Sequence, residues 1–339
     1  HRRTMTADGR AAPPRVWSVS MVRNEVDIVE AFVRHNATVL DGMAILDHGS
    51  VDGTVEIVTA LAREGLPVRL VQSAVPGYLQ EEITTSLARE VFLGTGADFV
   101  LPLAADEFLK VASRTEFGRA LRSIPEGMHG LLRWLTYVPA FRESPRGILA
   151  ILKGARRVPE ERHVFHKALM SRALLDNPDA MLSNGNHYVA STPHGASEDA
   201  KPHARIRDRF AAVAHVPIRS PAQFVSKVAI KKLGRIAANN DWRPEAASQA
   251  AYEAIVAGGS PDPALLLEHA VNWSVQRERW IPASSVELVD DPFLATFELR
   301  HTPPEAADPV PLVLAAAERM TRRLAMARSA GGPGRAERR

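Results

Sequence analysis

The sequence predicts an α/β fold in which a mostly parallel sheet is flanked by helices and followed by a helical C-terminal section. From Val16 onwards, short apolar runs of the β type alternate with longer stretches of helical periodicity. That alternation is typical of parallel strands joined by crossover helices. After Ser220 the β-type runs cease while helical periodicity continues. The 339 residues, 45% of them hydrophobic, are enough to bury a large core.

The predicted elements follow one another through short connections. Strands are predicted at 16–22, 43–46, 68–71 and 99–103, then at 131–137, 165–174 and 210–216. Helices are predicted at 25–39, 54–63 and 81–93, and after them at 220–238, 246–256, 264–271 and 311–328. Ser220 and Pro221 support the first of the later helices, because a hydroxyl cap followed by proline is typical of a helix start.

Composition along the chain divides it into four segments. Residues 15–239 are predicted to form the α/β domain, and residues 240–328 the helical section. The polar residues 1–14 are expected to be a disordered lead or a segment added to the natural chain. Residues 329–339 combine Gly, Pro and Arg without apolar anchors, and are expected to be a disordered basic tail.

Composition also excludes several classes of function. The 42 basic and 39 acidic residues leave a net charge of only +3, which argues against a protein that wraps nucleic acid. The absence of cysteine excludes disulfides, thiolate zinc sites, iron–sulfur clusters and cysteine nucleophiles. No apolar run approaches the roughly 20 residues that span a bilayer, so no membrane span and a cytoplasmic location are expected.

Three polar motifs lie where predicted strands end. Arg23 and Asn24 follow the first strand, the turn 47–54 (DHGSVDGT) follows the second, and Asp106 with Glu107 follows the fourth. Ligands of parallel sheets bind outside the carboxyl ends of the strands. We therefore expect these motifs to converge on one edge of the sheet.

The turn 47–54 and the acidic pair each allow two interpretations. The turn can bring Asp47 and backbone amides against a nucleoside, or it can simply connect strand and helix with Asp52 or Thr54 as the helix cap. The acidic pair can hold a divalent cation against a diphosphate. It can equally be the acidic start of a helix, where carboxylates face the positive end of the dipole.

Two further positions carry groups of catalytic type. His215 ends a predicted strand and is either a metal ligand or a packed histidine, while Arg219 or Lys227 beyond it can face phosphate. His187 follows Asn184, Gly185 and Asn186, a turn that would present its imidazole at a loop tip.

In their order along the chain, these segments resemble the family 2-like glycosyltransferases, in the subgroup with an R-N-E start, a D-x-G-S-x-D-G-T turn and a D-x-D-E-F block. The corresponding residues are 23–25, 47–54 and 104–108. The resemblance covers about 16–227 and continues through 77–80, Arg89, 185–187 and 215–227, the last similar to H-x-P-x-R-S-x-x-Q-F-x-x-K.

The resemblance implies a GT-A fold, a nucleoside-diphosphate sugar as donor, and Mn²⁺ or Mg²⁺ as cofactor. Residues expected on the nucleotide side or along the same cleft are Arg23, Asn24, Glu25, Asp47, Asp52, Gln80 and Arg89. By the same resemblance Asp106 would bind the metal, with His215 as a second ligand. Glu107 and His187 would lie near sugar and acceptor, and either could be the catalytic base.

One position departs from the family pattern. Ala104 stands where the D-x-D-E-F block has its first aspartate. A carboxylate expected near the ribose or the hydration shell of the metal is therefore missing, which predicts weaker metal binding.

We predict glycosyl transfer to an acceptor hydroxyl or amine, with inversion favoured because it needs a single displacement. The acceptor stays open between small molecules, glycans and lipids. Hydrolysis or isomerisation of the nucleotide sugar is an alternative on the same fold, and Ala104 leaves open a non-catalytic nucleotide-sugar binder. Nucleic-acid binding through the basic segment 227–235 is the weakest alternative.

Overall fold

The computed structural model describes residues 12–73, 75, 79–141, 147–192, 203–237, 246–257, 261–273, 275–304 and 307–330. The strands are β1 (Val16–Val22), β2 (Gly42–Asp47), β3 (Val68–Gln72), β4 (Phe99–Pro102), β5 (Glu107–Val111), β6 (Gly130–Val138), β7 (Arg156–Arg157), β8 (His166–Ser171), β9 (Met181–Leu182), β10 (Val189–Ala190), β11 (Ala204–Arg205) and β12 (Ala211–His215). The helices are α1 (Val29–Asn36), α2 (Thr54–Arg63), α3 (Gln80–Thr95), α4 (Arg114–Arg122), α5 (Ile148–Lys153), α6 (Pro221–Ala237), α7 (Ala246–Val256), α8 (Pro263–Val271) and α9 (Pro309–Ala330).

The main sheet has the strand order β3-β2-β1-β4-β8-β6-β12-β5, with β7 and β11 paired to β6. Strands β1 to β4 are parallel neighbours, whereas β8 runs antiparallel to both β4 and β6. Because β12 is parallel to β6, it points the same way as β1, β2 and β4. The predicted fold class, a mostly parallel α/β sheet flanked by helices with a helical C-terminal section, is confirmed.

Two apolar clusters account for the packing of helices against this sheet. The larger includes the apolar face of α1, whose Val29, Phe32 and Val33 are fully buried together with Ile28 just before it. The smaller includes Leu87, Ala88, Val91 and Phe92 of α3. Each fully buried side chain of this size stabilises the fold by roughly 1.5–3 kcal/mol relative to exposure.

The structure corrects several predicted boundaries. Helix α1 begins at Val29 rather than residue 25, because Ile28 has a non-helical φ of −127° and is the N-cap. The backbone N–H groups of Glu25 and Val26 donate to Thr54 Oγ1 and Asp52 Oδ2. The predicted strand at 165–174 ends at Ser171 and continues as a 3-10 turn. Strand β5 and helices α4 and α5 were not predicted; β5 shows that Glu107 starts a strand, not a helix.

The C-terminal section returns to the α/β domain in two ways. Residues 275–304 are largely irregular and include a strap at Arg300–Thr302, whose three N–H groups donate to the fully buried Glu30 carboxylate of α1. Helix α9 then packs on α6, with Leu312 and Ala316 against Ile230.

Parts of the sequence predictions lie outside the described residues. These are most of the expected lead (1–11), the Gly77 and Tyr78 positions, and 331–339 of the expected tail; residues 329 and 330 belong to α9. Within the described ranges, no helix combines the length and apolar character that crossing a membrane requires.

Candidate active site

The expected convergence occurs at the carboxyl edge of the sheet. Strand β12 ends at His215, which is the register partner of Glu107 at the start of antiparallel β5. Asp106 immediately precedes β5, and its carbonyl accepts from the Val216 N–H at 2.9 Å. Antiparallel pairing of β5 with β12 therefore brings the acidic pair and His215 together, although 108 residues separate Glu107 and His215 in the sequence.

Asp106 is the hub of an ion-pair cluster that we call the acidic centre: Glu25, Asp27, Asp106, His215, Arg219 and Lys227. Asp106 is only 2% exposed. Its Oδ2 contacts Lys227 Nζ and lies 3.6 Å from His215 Nε2. Burial alone would raise the pKa of Asp106, but Lys227 and His215 hold it well below its ordinary value of 3.8. Asp106 is therefore an anion.

Arg219 joins the remaining carboxylates of the acidic centre. Its Nε and Nη2 donate to Asp27 at 2.9 Å each, and Nη2 also donates to Glu25 Oε2 at 2.7 Å. Burial raises the pKa of Glu25 to about 7, although Arg219 acts in the opposite direction. Burial of the carboxyl group thus outweighs Arg219, and the nearby carboxylates Asp106 and Asp27 act in the same direction as burial.

Carboxyl groups outnumber permanent cations in the acidic centre. Three carboxyl groups, Glu25, Asp27 and Asp106, share two permanent cations, Arg219 and Lys227. His215 adds no charge at neutral pH, because burial lowers its pKa more than Asp106 raises it. Among these side chains, the centre is one positive charge short of neutrality when all three carboxylates are ionised.

Glu107 belongs to a separate buried ion pair. Its Oε1 lies 2.7 Å from Lys167 Nζ, its Oε2 accepts from the Ala104 N–H at 2.8 Å, and the side chain is 1% exposed. Lys167 also donates to the carbonyl of Gly185 at 3.1 Å. Glu107 thus fixes the turn that precedes Asp106 and links it to the His187 loop. It lacks the access that a general base needs.

His187 is half-buried in an aromatic wall. Its ring stacks on Phe165, with centroids 4.5 Å apart, and lies edge-on to Trp134 at 5.6 Å. Trp134 in turn stacks on His215 at 4.1 Å, so this wall joins His187 to the acidic centre. His187 Nδ1 lies 2.8 Å from the carbonyl oxygen of His166. A carbonyl can only accept, so Nδ1 carries the proton and Nε2 is the basic nitrogen of the neutral ring.

The loop bearing His187 depends on Gly185. Its φ of 74° lies in the left-handed region, and a Cβ at this position would come within 2.5 Å of His187 Nε2. The Gly185 N–H donates to Gln80 Oε1 at 3.2 Å, which connects the loop to the start of α3. Gln80 therefore supports the His187 loop.

The turn after β2 is built by its own acidic side chains. Asp47, 3% exposed, accepts from the Gly49 and Ser50 N–H groups at 3.0 and 3.1 Å. Asp52 accepts from Val26 and Thr54 with its two oxygens. The N-cap of α2 is Gly53, without a side-chain cap hydrogen bond, so the expected cap at Asp52 or Thr54 is wrong.

Asn24 and Arg23 connect β1 to that turn. Asn24 has a φ of 54°; its N–H donates to Ser50 Oγ, and its Oδ1 accepts from the Val51 N–H. Burial, followed by the nearby Arg319, lowers the pKa of Arg23 to about 10, while Asp47 opposes the shift. Arg23 and Asp47 are thus close enough to interact at the same sheet edge.

Arg89 is the predicted site residue that the structure does not connect to this assembly. Its Nη2 donates to the carbonyls of Asn177 and Ala180 at 3.0 and 2.7 Å. Those contacts tie α3 to the segment preceding β9. Its expected place along the cleft has no support from these hydrogen bonds.

The residues of the acidic centre fit a divalent cation. Two ligands that bind one ion at about 2.1 Å each lie roughly 3–3.6 Å apart, and Asp106 Oδ2 and His215 Nε2 are separated by 3.6 Å. A mixed oxygen and nitrogen pair suits Mn²⁺ better than Mg²⁺, which prefers oxygen ligands alone. The described residues contain no group of three or more His, Asp or Glu that could hold a metal, so the substrate or water would supply the other ligands.

Sequence reasoning missed Lys167, Trp134 and Asp27. Lys167 offered a signal, since it is a lone lysine within an apolar β-type run. Trp134 and Asp27 resembled ordinary residues of a strand and a helix start, and only the tertiary contacts reveal their place.

No protein-family model matches the chain, and no curated protein sequence does. The chain is similar to the solved structure of glucosyl-3-phosphoglycerate synthase from Mycobacterium tuberculosis with Mn²⁺, UDP and glucosyl-3-phosphoglycerate, at 19% identity and a TM-score of 0.25; the match covers 36% of this chain and 43% of that one. The chain thus spans less than half the length of that synthase.

It is also similar to the mannosyltransferase PcManGT from Pyrobaculum calidifontis with GDP-Man and Mn²⁺, at 16% identity and a TM-score of 0.36, over 81% of this chain and 78% of that one. S. aureus TarS is similar at 14% identity and a TM-score of 0.36, over 78% and 73%. Likenesses this distant carry no weight for function, which rests on the residues described above.

Proposed function

We propose that the protein is a metal-assisted glycosyltransferase that moves a sugar from a nucleoside-diphosphate sugar to an acceptor hydroxyl or amine. The observation that carries this proposal is the acidic centre, in which three carboxyl groups share two permanent cations at the same sheet edge as the turn 47–54. An excess of carboxyl groups over cationic side chains favours a bound cation, and a diphosphate is the natural partner of such a cation.

The donor would bind across the ends of β1, β2 and β4. The turn 47–54 offers backbone close to the ligand at Gly49, whose φ of 88° requires glycine. Asn24 presents a buried Nδ2 that has no hydrogen-bond partner among the described residues. A donor group left unpaired in this way favours a ligand that supplies an acceptor, such as a nucleoside oxygen.

In the acidic centre, Asp106 and His215 would hold the cation, Mn²⁺ in preference to Mg²⁺. When bound, the cation supplies neutralisation of the charge that develops on the departing nucleoside diphosphate. Lys227, which contacts Asp106 Oδ2 and lies 5.3 Å from the Trp273 ring, supplies a second positive group at the same place.

Of the two predicted bases, the contacts favour His187. Both oxygens of Glu107 are committed to Lys167 and Ala104, whereas His187 is held as the Nδ1–H tautomer with a basic Nε2. His187 would take the proton from the acceptor as its oxygen or nitrogen attacks the anomeric carbon. Inversion follows if that attack is the only displacement, because no further nucleophile is then needed.

The first test is calorimetric titration of UDP, GDP and dTDP, each with Mn²⁺, with Mg²⁺ and with chelator. We expect one nucleotide to bind, and Mn²⁺ to tighten its binding at least about tenfold over chelator. Tight binding that ignores the metal would remove the proposed role of Asp106 and His215. Absence of binding under all conditions would overturn the donor site itself.

The second test separates the base from the donor site. His187→Ala is expected to abolish transfer while the dissociation constant of the nucleotide stays unchanged, because the imidazole is placed to act on the acceptor. His163→Ala is the matched control, since the His163 ring also contacts Phe165, with centroids 4.2 Å apart and the planes tilted by 60°. Equal activity of the two variants would eliminate His187 as the base.

Ala104 supports one competing proposal, a nucleotide-sugar binder without activity. Its N–H serves Glu107, and its methyl group offers no ligand where a carboxylate is expected. Ala104→Asp distinguishes the two: a large gain in turnover over an inactive parent would favour the binder, and measurable turnover by the parent would favour the transferase.

A further inference from the structure

The face of helix α9 that packs on the domain is apolar in its first half and carries arginines in its second half. Leu312, Ala316 and Met320 are buried at intervals of four residues, as expected for the inner face of a helix. Arg319 and Arg323, also four apart, are only half-buried beside these residues. The C-terminal half of α9 therefore presents two guanidinium groups towards the domain.

Those guanidinium groups reach the turn after β2. A Cβ added to Gly49 would lie 2.4 Å from Arg319 Nη1, so this group rests directly on the glycine. Arg23 is affected by both arginines of α9, since after burial the charges of Arg319 and Arg323 lower its pKa. His48, next to Gly49, is influenced by Arg23 and Arg323 in the same way.

We call Arg23, Arg319 and Arg323 the basic cluster. Within the part of the chain that the structure describes, none of the three has an ion-pair partner, and Arg23 Nε is buried without a hydrogen bond. Asp47 is the single carboxylate that acts on Arg23, and it is already engaged by Gly49 and Ser50.

Neighbouring guanidinium groups without an ion-pair partner destabilise the folded protein by mutual repulsion. Such an arrangement is not explained by packing, whereas Arg322 on the outer face of the same helix pairs with Glu318 in the ordinary way. An uncompensated arginine cluster at the edge of a cleft is suited to bind an anion with several oxygens.

We propose that α9 completes the donor site, with Arg319 and Arg323 joining Arg23 to bind the diphosphate of the nucleotide. This inference rests on the proposed function, because it is the donor that brings a diphosphate to the turn. It assigns a binding role to the C-terminal section, more than 250 residues beyond the turn 47–54. Helix α9 would then contact the nucleotide through ion pairs between its arginines and the diphosphate.

The test compares Arg319→Ala/Arg323→Ala with Arg322→Ala, its matched control on the outer face of α9. Calorimetry measures the dissociation constants of UDP, GDP and dTDP, of their nucleosides, and of inorganic pyrophosphate. We expect the double variant to weaken the bound nucleotide about a hundredfold, and each single variant about tenfold, with the nucleoside unaffected. Arg322→Ala should stay within about twofold of the wild type.

A companion variant, Arg319→Lys/Arg323→Lys, keeps the charge but lacks the planar fork, and should recover part of the loss. Thermal unfolding of each variant confirms that the protein is folded, and removal of the repulsion predicts that the Ala variant is no less stable than Arg322→Ala. Unchanged nucleotide binding by the folded double variant would overturn the inference and leave the proposed function standing.

Pyrophosphate separates the remaining cases. If the wild type binds pyrophosphate but no nucleotide, and the double variant binds neither, the basic cluster is an anion site and the donor proposal fails. If the wild type binds neither, both proposals fail.

Discussion

The acidic centre and the basic cluster occupy the same edge of the sheet but handle charge in opposite ways. In the acidic centre, Arg219 and Lys227 each contact a carboxylate, and three carboxyl groups outnumber two permanent cations. In the basic cluster, Asp47 acts on Arg23, and none of the three guanidinium groups has an ion pair among the described residues. Most charges of the acidic centre are paired within the protein, whereas those of the basic cluster are not.

The difference shows how a chain with a net charge of only +3 can hold strong local fields. The two unbalanced regions are complementary to a cation and a diphosphate, respectively. Composition gives only the net charge, in which the opposite charges of the two regions cancel. The following experiments break or sharpen this contrast, from the largest expected effect to the smallest.

The largest effect is expected from Asp106→Ala, which removes the hub of the acidic centre. Turnover should fall at least about a thousandfold, because the variant loses a metal ligand and leaves Lys227 without its carboxylate. Product formation from the sugar donor of the bound nucleotide is the measurement. Asp290→Ala, at a carboxylate that is 85% exposed, is the control. Retained turnover would show that the acidic centre is structural.

The next effect concerns stability and the buried pair of Glu107 with Lys167. Glu107→Gln should lower the free energy of unfolding by about 3–5 kcal/mol, because it leaves the ammonium group of Lys167 buried and unpaired. The double variant Glu107→Gln/Lys167→Met should recover most of the loss. Urea unfolding measures both, and a single variant as stable as the wild type would mean that the pair is not buried as described.

A pH dependence distinguishes the excess carboxyl group of the acidic centre. The pKa of Glu25 is raised from 4.5 to about 7 by burial, so between these values the folded protein keeps a proton that the unfolded chain has released. The stability that this group contributes is therefore complete below about pH 4.5 and is lost as the pH rises through about 7.

The Glu25→Gln variant has no ionisable group at this position, so its stability should not fall as the pH rises through about 7. Its stability relative to the wild type is expected to improve by about 2 kcal/mol between about pH 5 and about pH 8. Chemical unfolding at both pH values measures the change. Parallel curves for the two proteins would mean that Arg219 keeps Glu25 ionised throughout.

The smallest effect is expected at the contact of the basic cluster with the turn. Gly49→Ala places a Cβ at a φ of 88° and 2.4 Å from Arg319 Nη1, which should destabilise the protein by about 1–2 kcal/mol. In an Arg319→Ala background only the backbone strain remains, so Gly49→Ala should lower the free energy of unfolding by less than it does in the wild type. Additive effects in a double-mutant cycle would show that Arg319 does not rest on Gly49.

Much of the fold and part of the site followed from the sequence because their signals are local. The apolar face of α1 and the polar residues that end β1, β2 and β4 can each be recognised within a short segment of the sequence. Parallel strand direction places the ends of β1, β2 and β4 at one edge as expected, while antiparallel pairing of β5 with β12 sets His215 opposite Glu107.

The remainder depends on contacts distant in sequence. Strand β5 is stabilised by antiparallel pairing with β12, about a hundred residues later. The short segment after Asp106 therefore could not be recognised as a strand from its own residues. The engagement of both Glu107 oxygens likewise required knowing where Lys167 lies. Arg319 and Arg323 look like ordinary surface arginines of a helix until α9 is placed over Gly49.

The strap at Arg300–Thr302 has a consequence for how the protein is made. Glu30 Oε1 can pair early with Arg34, but Oε2 is served entirely by the N–H groups of His301 and Thr302 and the Thr302 hydroxyl. During synthesis these donors emerge about 270 residues after the carboxylate. Until then, burial of Glu30 would leave a charged carboxylate oxygen without a hydrogen-bond donor. The first-made half of the sheet should therefore stay loosely folded on the ribosome, and consolidate only when translation is nearly complete.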